Sequence, residues 1–105
     1  MASRVPAERI VSARTLHALI EPMGIPYVGN QAEGGSDVDT LGHLGVPMFD
    51  FRTDASPYFD LHHTVDDTSD HVDPKALREN VAAYAMLAYL IAATDVDFGR
   101  VRWPR

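Results

Sequence analysis

From Pro6 to about Pro22 the apolar residues Ile10, Ala13, Leu16, Leu19 and Ile20 recur at helical spacing, with Glu8, Arg9, Arg14 and His17 between them. That period predicts an amphipathic helix, and Met1-Ala-Ser-Arg is read as leading straight into it. Met23-Gly24-Ile25-Pro26 ends the pattern, Tyr27-Val28 reads as a short extended piece, and Gly29-Asn30 and Glu33-Gly34-Gly35-Ser36-Asp37 read as loops. Ser36 or Asp37 is expected to cap a short helix through Leu44, with Gly45 as its stop. Val46 to Arg52 has strand character, buried from Met48 to Phe51, although Pro47 removes one donor from any ladder.

Thr53 to Val72 is rich in Asp, Ser and Pro and has no helical period, so it is expected to form one long loop. Loops of that length in a compact domain usually carry function or move. Asp73-Pro74 supplies a cap followed by Pro at the first helical position, and Lys75 to about Thr94 then predicts the most secure helix of the chain. Its polar residues Lys75, Arg78, Glu79 and Asn80 lie in the first two turns, while Val81 to Ala93 is apolar on every face. Such a helix is buried by several neighbours. So few other elements are available to cover it that it must pack on further polypeptide or lie in an oligomer interface.

The length of 105 residues allows one core at most, here a single partial domain over 1–105. With 46% hydrophobic and 23% charged residues, the chain reads as globular. Nine Lys and Arg against fifteen Asp and Glu leave no positive excess to neutralise phosphates, which argues against a nucleic-acid partner. The basic cluster Arg100, Arg102 and Arg105 around Trp103 reads as a solvated tail. No stretch has the layout of a signal peptide, and the run Val81 to Ala93 falls short of the ~20 residues a membrane span needs. Because there is no cysteine, any metal must be held by His, Asp, Glu or backbone oxygen.

Asp60 to Asp73 gathers three of the five histidines into one Asp-rich stretch. Neutral imidazole and carboxylate are the ligands that zinc takes without thiolates, and a carboxylate beside a ligating His can orient its other ring nitrogen. On composition alone, a solvated Asp-rich loop with incidental histidines is the readier reading. His17 and His43 stand alone in helical patterns and read as surface or satisfied core histidines.

The order of four blocks changes the picture: Gly34-Gly35-Ser36-Asp37, Gly45-Val46-Pro47, His62-His63-Thr64-Val65-Asp66-Asp67-Thr68 and Val72-Asp73-Pro74. In that order, over roughly Ala7 to Asp95, they resemble the closing segment of M28 zinc metallopeptidases. The doubled His62-His63 with Tyr58-Phe59 before it looks most like the branch containing plasma glutamate carboxypeptidase, whose members are secreted or lysosomal dipeptidases. The resemblance implies an α/β fold class, the chain forming a C-terminal fragment of the three-layer α/β/α sandwich of zinc exopeptidases (phosphorylase/hydrolase-like). It implies that His63 is a zinc ligand. Asp67 would hold the loop or the His by hydrogen bonds, though a turn Asp bonding its own backbone is an equal alternative. Asp37 would support the metal centre, or serve only as a helix cap; His62 would line the substrate cleft or cap the strand end. Tyr58 and Phe59 would shape a substrate pocket or belong to the core. Where many relatives continue Ser-Asp-His, this chain has Val38. His71-Val72-Asp73 imitates an upstream metal motif, but Asp73 is better used as a cap.

In the family, zinc is bound as a pair of ions and a Glu-Glu pair upstream bears the general base. This chain has no Glu-Glu pair, so it offers at most a partial zinc site. The implied function is part of a zinc-dependent exopeptidase or dipeptidase acting on small peptides, inactive alone, with a missing upstream polypeptide or a homo-oligomer partner completing it. The alternative is a noncatalytic binding or assembly module of the same fold.

Overall fold

A computed structural model describes residues 1–52 and 56–101; Thr53 to Ala55 and the tail residues Arg102 to Arg105 lie outside the described residues, and with them most of the Arg-rich cluster. The elements run β1 (Ala2–Arg4), α1 (Ile10–Ala18), α2 (Asp39–His43), β2 (Met48–Asp50), α3 (Ser56–Leu61) and α4 (Pro74–Ala93), with single 3-10 turns at Ala7–Arg9, Glu21–Met23, Ser36–Val38 and Ser69–His71.

The first correction is at the start of the chain. Met1-Ala-Ser-Arg does not run into the helix but forms β1, antiparallel to β2 with Ala2 opposite Asp50, Ser3 opposite Phe49 and Arg4 opposite Met48. The other side of β1 is also occupied. Ser3 N–H donates to Gly29 O and Ala32 N–H to Ser3 O, both at 2.9 Å, so the expected extended piece near Tyr27 runs alongside β1. Asn30 completes that side with its side chain: its Oδ1 accepts from Val5 N–H at 3.0 Å and its amide donates to Val5 O at 2.8 Å. A primary amide thus satisfies a backbone pair as a neighbouring strand would.

Alternation along the strands sorts two clusters onto the two faces of this small sheet. On one face Met1, Val5, Ala13, Leu16, Ile20, Leu87 and Phe98 form the main core, with Phe49 and Phe51 packed against it. Phe49 meets Phe98 edge-on at 5.1 Å and Phe51 meets Tyr84 of α4 at 4.7 Å. On the other face Ala2, Ala32 and Met48 pack with Val38 from the turn into α2. Helical segments therefore flank both faces of the sheet, a mixed helix and strand arrangement compatible with the α/β class.

The α1 helix forms where its period demanded, and Gly24 with φ 79° supplies the left-handed residue after the last turn. Its buried histidine is satisfied, since His17 Nε2 lies 2.6 Å from Ile25 O. His43 is exposed and paired with Asp39 one turn earlier, at 3.3 Å. Asp73 caps α4 as expected, accepting from Lys75 N–H at 2.8 Å, with Pro74 in the first turn.

Three expectations fail. Neither Ser36 nor Asp37 makes a side-chain cap bond to the 3-10 turn or to α2; Gly35, with φ 71° and no side chain, occupies the cap position itself. The stretch expected to be one loop contains α3 and the turn Ser69–His71. Tyr58 and Phe59 belong to α3 and are exposed rather than core. The all-round apolar α4 buries only Ala83 and Leu87 within this chain, leaving Leu77, Val81, Tyr84, Met86 and Tyr89 exposed. No helix among the described residues is long and apolar enough to cross a membrane.

Candidate metal-ligand loop

The C-terminus of α3 sets up the candidate site. Helical spacing places Tyr58 and His62 one above the other. Their rings stack at 4.3 Å between centroids, and Tyr58 Oη lies 3.2 Å from His62 Nε2. His63 follows with its ring 3.7 Å from that of His62. Three of the sequence-derived candidates, Tyr58, His62 and His63, are thus brought together as a run of rings on one helix end.

His63 has a backbone φ of 60°, the only positive value at a non-glycine residue among the described residues. It stands directly after the helix, where glycine or asparagine usually takes the left-handed conformation at no steric cost. A Cβ in that region costs free energy, and residues held so are concentrated at functional sites. The following turn locks the position. Thr64 N–H and Oγ1 both bond Leu61 O, at 2.9 and 2.7 Å, Asp66 N–H donates to Thr64 Oγ1 at 3.2 Å, and Asp67 N–H donates to Thr64 O at 3.3 Å. Asp70 accepts from the Thr68 hydroxyl, and that bond holds its carboxyl below the usual range.

Asp67 is exposed, and neither it nor Asp37 makes a side-chain hydrogen bond or ring contact with the Tyr58, His62, His63 run among the described residues. His71 lies beside Asp70 at 4.0 Å rather than joining His63. No group of three or more His, Asp or Glu side chains converges to hold a metal among the described residues. Zinc takes three protein ligands or more. His62 Nε2 is turned to Tyr58, which leaves one exposed imidazole. The residues present do not by themselves fit a zinc ion.

A second device escaped the sequence reading. Asp50 at the end of β2 accepts from Glu33 N–H at 3.0 Å and from Arg52 Nε at 3.3 Å, and Arg52 also donates to Gln31 O at 2.9 Å. The Asp50-Phe51-Arg52 alternation, which puts both charges on one face of the strand, was the available signal. This clasp ties residues 31–33 to the strand just before the Gly34-to-Asp37 turn. Gly34 is required there: a Cβ on it would meet Val38 Cγ2 at 2.6 Å and Met48 Sδ at 2.8 Å, at a φ of +76°. The Gly-Gly-Ser-Asp block is therefore built for close packing against β2.

No family profile matches the chain. Carboxypeptidase Q of Rattus norvegicus is 37% identical over 75 residues, 71% of this chain and 16% of that protein. Carboxypeptidase Q of Mus musculus is 34% identical over 77 residues, 73% of this chain and 16% of its own length. A crystal structure of the Peptidase M28 precursor from Shewanella amazonensis SB2B superposes with a TM-score of 0.87 at 39% identity, over 99% of this chain and 23% of the other. The chain thus spans 16% of the length of the curated relatives named here. The order of its motifs, its fold and these likenesses agree: the chain belongs to the M28 peptidase family and corresponds to a C-terminal segment of it.

Proposed function

We propose that this chain is part of a zinc-dependent exopeptidase or dipeptidase acting on small peptides, and that it contributes His63 as one ligand of a two-zinc site within a three-layer α/β/α domain. Further M28 polypeptide supplies the remaining ligands and the general base, and the chain is inactive alone. When bound, such a zinc pair would supply Lewis-acid chemistry towards the peptide carbonyl and a water. The residues described here have a positional task. The turn from Leu61 to Asp67 fixes the backbone that carries the His63 imidazole, and the ring of His62, held by Tyr58, backs it. Asp67 and Asp37, both exposed in this chain, orient the loop or the imidazole once the site is closed, and His62 with Tyr58 borders the peptide.

The observation that carries this reading is the left-handed backbone of His63 within His-His-Thr-Val-Asp-Asp-Thr. A purely structural helix stop would favour glycine there. Titration calorimetry with zinc at pH 7, on the chain combined with the remaining portion of an M28 relative and on the His63→Ala variant, tests it. Zinc uptake lost in the variant is expected; uptake unchanged by the substitution would remove His63 from the ligand set.

The exposed apolar residues of α4 favour a second reading, a noncatalytic assembly module. Under that reading the combined proteins associate but neither bind zinc through His63 nor hydrolyse dipeptides.

A further inference from the structure

The inward face of α4 changes character along its length. Leu87, Leu90 and Ile91 pack in or against the main core, and the same face carried back by helical spacing holds Ala83, Asn80, Glu79 and Ala76. A face that is apolar over the second half of the helix thus presents a carboxylate, an amide and two small residues over the first. These four residues line a hollow of about 520 Å³, bounded elsewhere by Met23, Ile25 and Pro26 after α1 and by Phe51 and Arg52 at the end of β2. Sites for small ligands span about 300–1,000 Å³ and combine apolar walls with a few polar groups.

The polar groups sort by charge. Glu79 makes an exposed ion pair with Lys75 at 3.1 Å, a contact of little net worth that exchanges readily for another ammonium. Asn80 donates its amide to Ala76 O at 3.0 Å, which leaves its side-chain oxygen to accept. Arg52 is fixed by its bonds to Asp50 and to Gln31 O, which take two of a guanidinium's five donors. The α4 side of the hollow therefore accepts from a cation, and the β2 side donates to an anion. A ligand of one charge meets a like charge as well as its partner, whereas a zwitterion pairs with both. We infer that the hollow binds a free amino acid with an apolar side chain: its ammonium on Glu79 and Asn80, its carboxylate on Arg52, and its side chain against Met23, Ile25 and Phe51. Binding needs neither His63 nor zinc. Under the proposed function, this ligand class is what hydrolysis of a small peptide releases.

The test is titration of the isotope-labelled chain with L-leucine, in the absence of zinc, followed by NMR. Saturable shifts are expected at the amides of Ala76, Asn80, Ala83 and Arg52. N-acetyl-leucine, which lacks the ammonium, and leucinamide, which lacks the carboxylate, should each bind at least about tenfold more weakly, the worth of a charge-assisted hydrogen bond. Glu79→Gln and Arg52→Gln are expected to weaken leucine binding by the same factor, and Ala76→Phe, at an exposed position, to abolish it by filling the hollow. Lys75→Ala is expected to tighten binding about two- to fivefold, because it removes the ammonium that competes for Glu79. Val11→Lys, at a position 75% exposed on α1, is expected to leave it unchanged. Circular dichroism checks that each variant folds. Absence of saturable shifts at these amides overturns the assignment, as does N-acetyl-leucine or leucinamide binding as tightly as leucine, or normal binding by folded Glu79→Gln and Ala76→Phe variants. Zinc uptake and its loss in His63→Ala are read in a separate measurement, so either proposal can fail while the other stands.

Discussion

Replacing His63 by glycine should stabilise the chain while removing its candidate ligand. The left-handed conformation costs a residue with a Cβ about 1–2 kcal/mol, and glycine returns about 0.5–1 kcal/mol of that through the greater freedom of the unfolded chain. The imidazole itself contributes little, since it is exposed and its ring contact is with His62. His63→Ala provides the internal reference, because it removes the ring and keeps the strained backbone. The glycine variant should therefore exceed the alanine variant by about 1 kcal/mol, which for a domain near this size is roughly 4–8 °C in Tm. Urea unfolding followed by circular dichroism, with a common m value across the three proteins, gives the comparison. An alanine variant as stable as the glycine variant, or more so, would refute the claim that the backbone at His63 is strained.

Other perturbations address the frame around the loop. Leu87→Ala, which empties a core position only 4% exposed, should cost about 2–5 kcal/mol in urea unfolding and loosen α4. Asn30→Ala leaves the Val5 N–H and C=O without their partners and should cost about 2–3 kcal/mol, seen also as faster exchange of the Val5 amide. The Met1 amino group is held below its ordinary value of 8.0, chiefly by burial, with Asp50 opposing and Arg52 assisting the shift. A cation whose folded pKa is depressed binds fewer protons when folded. Its stabilising contribution is therefore complete above pH 8 and fades as pH falls through the lowered pKa. N-terminal acetylation should flatten that part of the Tm-against-pH profile, and identical profiles for the two proteins would contradict it.

How much of this was legible beforehand depended on the range of the interactions. The α1 and α4 helices announce themselves through a 3.6-residue period and the Asp73-Pro74 start, both of which are local. Met1 to Arg4 carries no such signal. It becomes a strand because Met48 to Asp50 and the segment from Gly29 to Ala32 pair with it from both sides, which no window along the chain contains. The helix α3 was hidden because Asp, Ser and Pro count as loop formers, although Ser56-Pro57 before Tyr58, Phe59 and Leu61 is the same kind of start signal as Asp73-Pro74. Motif order singled out His63 and Asp67 as candidates, but a ring stack such as Tyr58 with His62 can be read only once a helix is assigned there. The Asp50 and Arg52 clasp depends on a loop far away in sequence, and its residues look like ordinary surface charges until that loop is in place.

The side-chain amide that stands in for a strand has a consequence for synthesis. During translation at roughly 5–20 residues per second, β1 is made before either of the two segments of this chain that pair with it. The first of them to arrive is the segment from Tyr27 to Asn30, whose Tyr27 hydroxyl meets Ser3 Oγ from 24 positions away, and β2 follows only later. For a second or more the nascent strand lacks both of these partners. Once Asn30 docks on Val5 and Ser3, one side of β1 is closed, and β2 can pair only with the other.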